Sequence, residues 1–174
     1  MDALVPILIQ IGVETARMGA CPTVGFALHK GADGFMSDTQ FKTFYWGPLR
    51  KIIMGLIEEG LIPRLGAQGG YNDRLKIIRD LPKGKTLWAF GQDTDMAKAK
   101  EIMGDVACMT GNVPATIIHA GTIDEITTHC RDLIKTAGKG GGYMFSTAQG
   151  VNRTTKLENV RAMIDAAKKY ATYD

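Results

Sequence analysis

Long apolar runs are scarce in this sequence. The longest, Leu4 to Ile11, is interrupted by Pro6 and falls well short of the ~20 residues that cross a bilayer. The chain also lacks the basic start and small-residue cleavage site of a secretory leader. Cysteine is sparse as well. Cys21, Cys108 and Cys130 are odd in number and without paired spacing, which argues for reduced thiols in a cytoplasmic setting and against a disulfide framework. Charge of one sign is neither abundant nor clustered. The net charge is +3 and no Lys/Arg run interleaves with aromatic residues, so nucleic acid is not an expected partner. What remains is a globular composition, 45% hydrophobic and 22% charged over 174 residues, enough for one domain with a real core over residues 1–174. Glycine is the exception, at 21 residues, and it implies many turns.

No repeat, linker or low-complexity tract divides the chain. Short β-rich runs alternate with helical patterns, each closed by turn residues. Residues 2–18 read as a helix with Val5, Leu8, Ile9, Gly12, Val13 and Ala16 on one face and Gly19 as the stop. A strand is expected over Thr23–Leu28, followed by a polar loop to Phe35. Ser37 and Gln40 have capping-box spacing, and Phe41, Phe44, Tyr45, Leu49, Ile52, Ile53, Leu56 and Ile57 then keep helical spacing up to Gly60. Pro48 should kink or loosen that helix. Further strands are expected at Ile62–Ala67, Thr86–Phe90, Asp105–Thr110 and Tyr143–Thr147. Helices are expected over Asn72–Leu81, over Thr94–Met103, from a Thr122/Glu125 capping box and from a Thr155/Glu158 box. The last of these would bury Val160, Met163, Ile164 and Ala167. Five strands separated by helices imply a parallel α/β sheet. Patterning alone leaves open a doubly wound sheet or part of a (β/α)8 TIM barrel.

Specific residues narrow this choice. The run Gly31-Ala-Asp-Gly-Phe-Met-Ser37 with Phe44-Tyr45-Trp46, then Leu81-Pro-Lys-Gly-Lys85 with Asp93-Thr-Asp-Met-Ala-Lys-Ala-Lys100, resembles the uroporphyrinogen decarboxylase family in its broad bacterial and archaeal branch. Gly111-Asn-Val-Pro114, Gly138-Lys-Gly-Gly-Gly142 and Glu158-Asn-Val-Arg-Ala-Met163 continue the resemblance in the family's order. It implies the last five β/α units of a TIM barrel, whose complete form needs about 250 residues. It also implies a missing N-terminal half, with Met1 a truncation, a wrong start or the beginning of one piece of a split barrel. Two chemistries go with the family. One is decarboxylation of a carboxylated tetrapyrrole without a cofactor. The other is zinc-assisted methyl transfer involving a corrinoid protein. A third possibility is a non-enzymatic half barrel that serves in assembly.

In a barrel the chemistry gathers where strands end. His29 and Lys30, beyond the first strand, are candidates to bind substrate carboxylates, with ordinary solvated loop residues as the plain alternative. Tyr71 is a candidate on the same footing. Asn112 either hydrogen-bonds a ligand or satisfies its own backbone in a Gly-Asn turn. Gln149 stands where the resemblance implies His in decarboxylases and Cys in zinc-dependent relatives. A glutamine can hold a substrate group but offers neither an acid, a base nor a thiolate. The zinc branch would also bring a His-x-Cys near Trp88–Gly91, which is absent. The expectation is therefore no metal and no cofactor, with His129 and Cys130 on different helix faces. Gly138–Gly142 follows a helix and precedes a strand, so it reads as a turn and not a phosphate cradle. Cys108 reads as a buried strand residue and Trp46 as the aromatic that could face outward. The Lys98/Lys100 and Lys168/Lys169 pairs read as solvated helix faces. Open strand edges lead to the expectation of a homo-oligomer, or of pairing with the missing half.

Overall fold

The computed structural model describes residues 2–172. A short 3-10 turn (Asp2–Leu4) leads into α1 (Val5–Met18), and β1 (Thr23–Ala27) follows. A 3-10 turn over His29–Gly31 precedes α2 (Asp38–Gln40), a π-helical segment over Phe41–Trp46 and α3 (Gly47–Glu58). Then come β2 (Ile62–Ala67), α4 (Leu75–Ile78), β3 (Leu87–Phe90), α5 (Met96–Met103) and β4 (Cys108–Val113). Two helices, α6 (Ala115–Ala120) and α7 (Ile123–Ala137), separate β4 from β5 (Tyr143–Thr147), and α8 (Leu157–Tyr170) ends the described chain.

The strands pair in the order β1-β2-β3-β4-β5, every pair parallel. That order decides between the two architectures. A doubly wound sheet reverses its strand order partway and so places helices on both faces. Here each right-handed crossover advances in one direction, which puts every helix on the same face. Burial agrees. Phe26, Leu65, Trp88, Met109 and Tyr143 stand level across the five strands. Four of them are buried beneath the helices and Phe26 packs against the same core. Their alternates (Gly25, Ala27, Arg64, Met144) are exposed on the other face. The sheet is therefore an arc of a barrel, one-sided, with a concave face toward solvent.

The helical layer is closely fitted at α1 and α3. A methyl group on Gly12 would come 2.8 Å from Leu56 Cδ2, and one on Gly55 2.3 Å from Ile9 Cδ1. The two glycines thus let the helices approach. Leu8, expected inward, is exposed along with Leu4, Ile7, Ile11 and Met18.

Pro48 acts upstream of itself. Its ring would crowd the carbonyl of the preceding turn, and the chain responds with a π-helical turn in which Gly47 N–H donates to Lys42 O. This spacing places residues five apart on one face. Phe41 and Trp46 consequently stack, with ring centroids 6.5 Å apart and planes within 7°. Trp46 is buried and leans on Trp88 at 6.3 Å, whereas Phe44 is 69% exposed. Both findings reverse the α-helical reading, in which Trp46 was the outward residue.

Other boundaries also moved. β4 begins three residues later than the apolar pattern indicates, because Asp105–Ala107 close the turn after α5. Val106 and Ala107 N–H donate to Met103 O. Cys108 therefore opens the strand on the concave side and is only half-buried. The helix expected over Asn72–Leu81 contracts to α4, and α6 had no counterpart in the sequence reading. The Ser37/Gln40 and Thr122/Glu125 capping boxes both form. The Thr155/Glu158 box does not. Lys156 precedes α8 without a side-chain cap, and Lys156 Nζ lies 3.8 Å from Glu158 instead. The buried residues of α8 are Asn159, Ala162 and Ala166, while Ile164 is exposed. Asn159 belongs inside because its amide donates to Ile118 O at 2.9 Å and to Gly121 O at 3.0 Å, satisfying the end of α6.

Two measurements follow from these contacts. Gly111 adopts φ +96°, and a Cβ there would stand 2.6 Å from Phe90 O. Gly111→Ala should lower the stability by about 1–3 kcal/mol, read by urea unfolding. His129 Nε2 is buried without a hydrogen-bond partner, and burial lowers its pKa below 6.5, with Asp132 opposing. The unfolded chain then takes up a proton before the folded chain does, so stability should fall as pH drops below about 6.5. His129→Gln should flatten that part of the thermal-midpoint profile, and an unchanged slope would contradict this reading.

Candidate functional site

The C-terminal ends of the strands and the loops beyond them form a rim that is stitched by side chains. Tyr71, in the loop after β2, is buried and its hydroxyl donates to Leu28 O at the end of β1. Its backbone N–H donates to Thr94 Oγ1 at 3.1 Å, and that hydroxyl donates to Gly69 O at 3.3 Å. Asn72 Nδ2 donates to Asp93 O at 3.0 Å, while its Oδ1 accepts the Asp95 N–H at 2.8 Å. Asp95 in turn caps α5 through Ala97 and Lys98 N–H. One strand further on, Asn112 Nδ2 donates to Gly91 O at 2.7 Å and to Thr94 O at 2.8 Å. The Tyr143 hydroxyl closes the series on Gly111 O at 2.7 Å. The loops after β1, β2 and β3 are thereby tied to one another and to β4, satisfying carbonyls that would otherwise be left unpaired.

Asn112 can take this part because of its backbone. It has φ +75° beside Gly111, a conformation that Asn tolerates better than most residues. Asn112 lies within β4 and its amide reaches across to the β3 loop, so the carbonyls that it satisfies belong to Gly91 and Thr94 and not to a Gly-Asn turn of its own. Tyr71 is equally committed. Burial raises its pKa well above the ordinary phenol value, with Tyr45 adding to the effect.

Beside this belt, Arg74 holds the loop after β1. It is 2% exposed, lies 4.5 Å above the Phe41 ring, and donates to Met36 O at 2.5 Å and to Asp38 Oδ1. Its Nε is 3.9 Å from Asp33 Oδ1, a Coulombic contact too long for a hydrogen bond, and neither atom has another partner. Burial raises the Asp33 carboxyl above its ordinary value, against the Asp73 N–H that it accepts at 3.3 Å. Asp33 and Arg74 were not singled out from the sequence. The available signal was Asp33 within the motif that carries the family resemblance and Asp38 directly after it, acids that need a cationic partner once the loop folds back.

The five sequence candidates separate into two groups. Tyr71 and Asn112 are buried and internally engaged. His29, Lys30 and Gln149 are exposed at the rim. His29 and Lys30 occupy the 3-10 turn after β1, with Lys30 Nζ 4.8 Å from the Phe35 ring centroid. Gln149 follows β5 at the opposite edge of the sheet. Four strand spacings separate the two edges, roughly 19 Å along the sheet at about 4.8 Å each, so Gln149 stands apart from the cationic pair. Among the described residues no group of three or more His, Cys, Asp or Glu side chains is placed to hold a metal. His129 and Cys130 do diverge: Cys130 is buried, with its thiol pushed up to about 11, and His129 is half-buried. His129 lines an open groove of about 480 Å³ with Asp124, Glu125 and Asp132, on the helical layer and not on the concave face. No helix among the described residues is long and apolar enough to cross a membrane.

Comparison with known proteins gives the same architecture a name. A solved methyltransferase from Methanosarcina mazei superposes with a TM-score of 0.76 over 97% of this chain and 48% of its own, at 19% identity. The uroporphyrinogen decarboxylase of Nitrosococcus oceani is 24% identical over 157 residues, covering 81% of this chain and 41% of that protein. The Methylococcus capsulatus decarboxylase is 31% identical over 116 residues, 67% of this chain and 32% of its own length. The chain thus spans less than half the length of these relatives. The family model described as "Uroporphyrinogen decarboxylase (URO-D)" matches residues 1–170. With that match over nearly the whole chain, and a one-sided parallel sheet of the same fold as a solved relative, this chain belongs to the uroporphyrinogen decarboxylase family.

Proposed function

We propose that this chain supplies five β/α units and one side of the substrate rim to an enzyme that decarboxylates a carboxylated tetrapyrrole. The observation that carries the reading is the exposed His29-Lys30 pair on the turn after β1, held over a rim whose other loops are tied down internally. A substrate bearing several carboxylates needs cationic and hydrogen-bonding partners at fixed positions. Lys30 meets that need as a point charge, and His29 as a donor whose role depends on its tautomer. Gln149, across the rim, can donate or accept a hydrogen bond to another part of a wide substrate. Tyr71 is a positioning residue for the turn that carries His29 and Lys30, through its bond to Leu28 O, and Thr94 and Asn112 hold the neighbouring loops in place.

In the reaction, the bond between an acetate methylene carbon and its carboxylate breaks. Carbon dioxide leaves, and a proton is added to that carbon to give a methyl group. The residues described here bind and orient the substrate. A cation near the departing carboxylate stabilises the ground state more than the transition state, so Lys30 is assigned to the carboxylates that remain. Zinc-assisted methyl transfer is the second reading, favoured by the fold shared with the Methanosarcina mazei methyltransferase. The residues present do not fit the metal: position 149 is Gln and residues 88–91 are Trp-Ala-Phe-Gly.

The test uses this chain joined behind the part of the Nitrosococcus oceani decarboxylase that it does not match. Loss of carboxylates from uroporphyrinogen is followed by chromatography. The joined protein should turn over and the isolated chain should not. Lys30→Ala should reduce kcat/KM by roughly 10- to 100-fold, the loss of one charge-assisted hydrogen bond. Tyr71→Phe, which removes only a positioning contact, should cost stability of about 1 kcal/mol and lower kcat/KM much less. Methyl transfer to cobalamin without decarboxylation would replace the first reading with the second.

A further inference from the structure

Lys30 is exposed at the rim, yet its ammonium has a fixed neighbour. Nζ lies 4.8 Å from the centroid of the Phe35 ring, and among the described residues no hydrogen bond or ion pair competes for it. A lysine carries its charge on a flexible four-carbon stem, and freezing that stem opposes the binding of any anion. An aromatic face within about 6 Å attracts the ammonium and narrows its rotamers before a ligand arrives. Phe35 is 57% exposed, so its ring is held by the backbone beneath it and not by a packed core.

That backbone is clamped on both sides of the ring. Asp33 N–H donates to Gly70 O at 2.8 Å and Phe35 N–H to Ala32 O at 3.3 Å, around Gly34 at φ +78°. Arg74 then grips the chain before and after Phe35. Its guanidinium donates to Met36 O at 2.5 Å and to Asp38 Oδ1, and its Nε faces Asp33 Oδ1 at 3.9 Å. Arg74 is itself buried against Phe41, and its backbone N–H donates to Tyr71 O at 3.1 Å. A continuous route of contacts thus runs from Tyr71 through Arg74 and the loop to Phe35, and across the ring to Lys30.

We propose that Phe35 is a positioning residue for Lys30, holding its ammonium where a substrate carboxylate is received, and that Arg74 acts through the loop to keep the ring in place. The inference rests on the assignment of Lys30 to substrate carboxylates above. The seating of Lys30 on Phe35 is independent of the reaction that follows. Lys30 serves carboxylates that remain through the reaction, so losing the seat weakens ground state and transition state alike. Such a loss raises KM and leaves kcat in place.

The seat is read on the isolated chain by nuclear magnetic resonance of isotope-labelled lysine side chains. Protons above an aromatic face are shielded, so the Lys30 ε-methylene signal should lie upfield of those of solvated lysines. Phe35→Leu should return it to the ordinary position and Phe35→Tyr should keep it. Asp38→Ala, which removes one Arg74 contact, should move it partway. Lys169, 5.2 Å from the Tyr170 ring, is a second shielded lysine that none of these changes should move. Phe35 and Asp38 are exposed, so the variants should fold, which circular dichroism checks. In this chain joined behind the unmatched part of the Nitrosococcus oceani decarboxylase, Phe35→Leu should raise KM about two- to fivefold with kcat unchanged. It should add nothing once Lys30 is replaced by Ala. An unshielded Lys30 signal overturns the proposal, as does a signal that Phe35→Leu leaves in place, an unchanged KM, or a KM effect that persists in full in Lys30→Ala. A Lys30 signal indifferent to Asp38→Ala overturns the part given to Arg74. A shielded signal in a joined protein that does not turn over uroporphyrinogen supports the seat and removes the decarboxylation reading.

Discussion

Everything distinctive about this chain depends on its sheet having helices on one face only. Parallel strands need crossovers, and crossovers of one hand advancing in one direction stack all helices on the same side. The side chains beneath the helices are then large and aromatic, with Trp88, Phe90, Met109 and Tyr143 in one continuous core. Those on the other face are mostly small or polar, with Leu87 and Met144 as exceptions. The asymmetry gives the sheet its barrel-like identity and leaves a face that the chain does not cover by itself.

The same constraint shapes the rim. Because the strands are parallel, all their C-terminal ends meet at one edge, and the loops beyond them become neighbours. Tyr71, Thr94, Asn72 and Asn112 use that proximity, each satisfying carbonyls or amides of a loop from another strand. Polar side chains of the sort that commonly contact ligands are here spent on the scaffold. His29, Lys30 and Gln149 are left facing solvent, the first two on a turn that Tyr71 holds through Leu28 O.

Several features were legible in the sequence for identifiable reasons. Strands β2 and β5 match their expected bounds because turn residues enclose them on both sides. Two of three capping boxes form, since their hydrogen bonds are local and depend on spacing alone. The third fails where α8 starts one residue later than expected, with Lys156 and not Thr155 at the N-cap, and its packing face is set by Asn159 reaching the end of α6. The π-helical turn at Phe41–Trp46 was announced by Pro48. Its consequence, a buried Trp46 and an exposed Phe44, required knowing that the chain would answer by lengthening the turn and not by bending the helix. β4 was misplaced because Val106 and Ala107 are apolar and buried in a turn that closes on Met103 O, which mimics a strand pattern. The burial of Arg74, and its contacts with Asp33 and Asp38, were invisible because these residues lie more than thirty positions apart.

The sequence by itself determined the alternation of strands and helices, the parallel sheet and the family. These are written in local spacing and in ordered motifs. Only the tertiary structure decided that the sheet is one-sided, that Tyr71 and Asn112 are committed to neighbouring loops, and that Arg64 and Cys108 share the uncovered face. Each of these depends on which strand lies beside which, and on which way a side chain points once its strand is in register. A period of two specifies that alternate residues face opposite ways; pairing with neighbouring strands and helices decides which way is in.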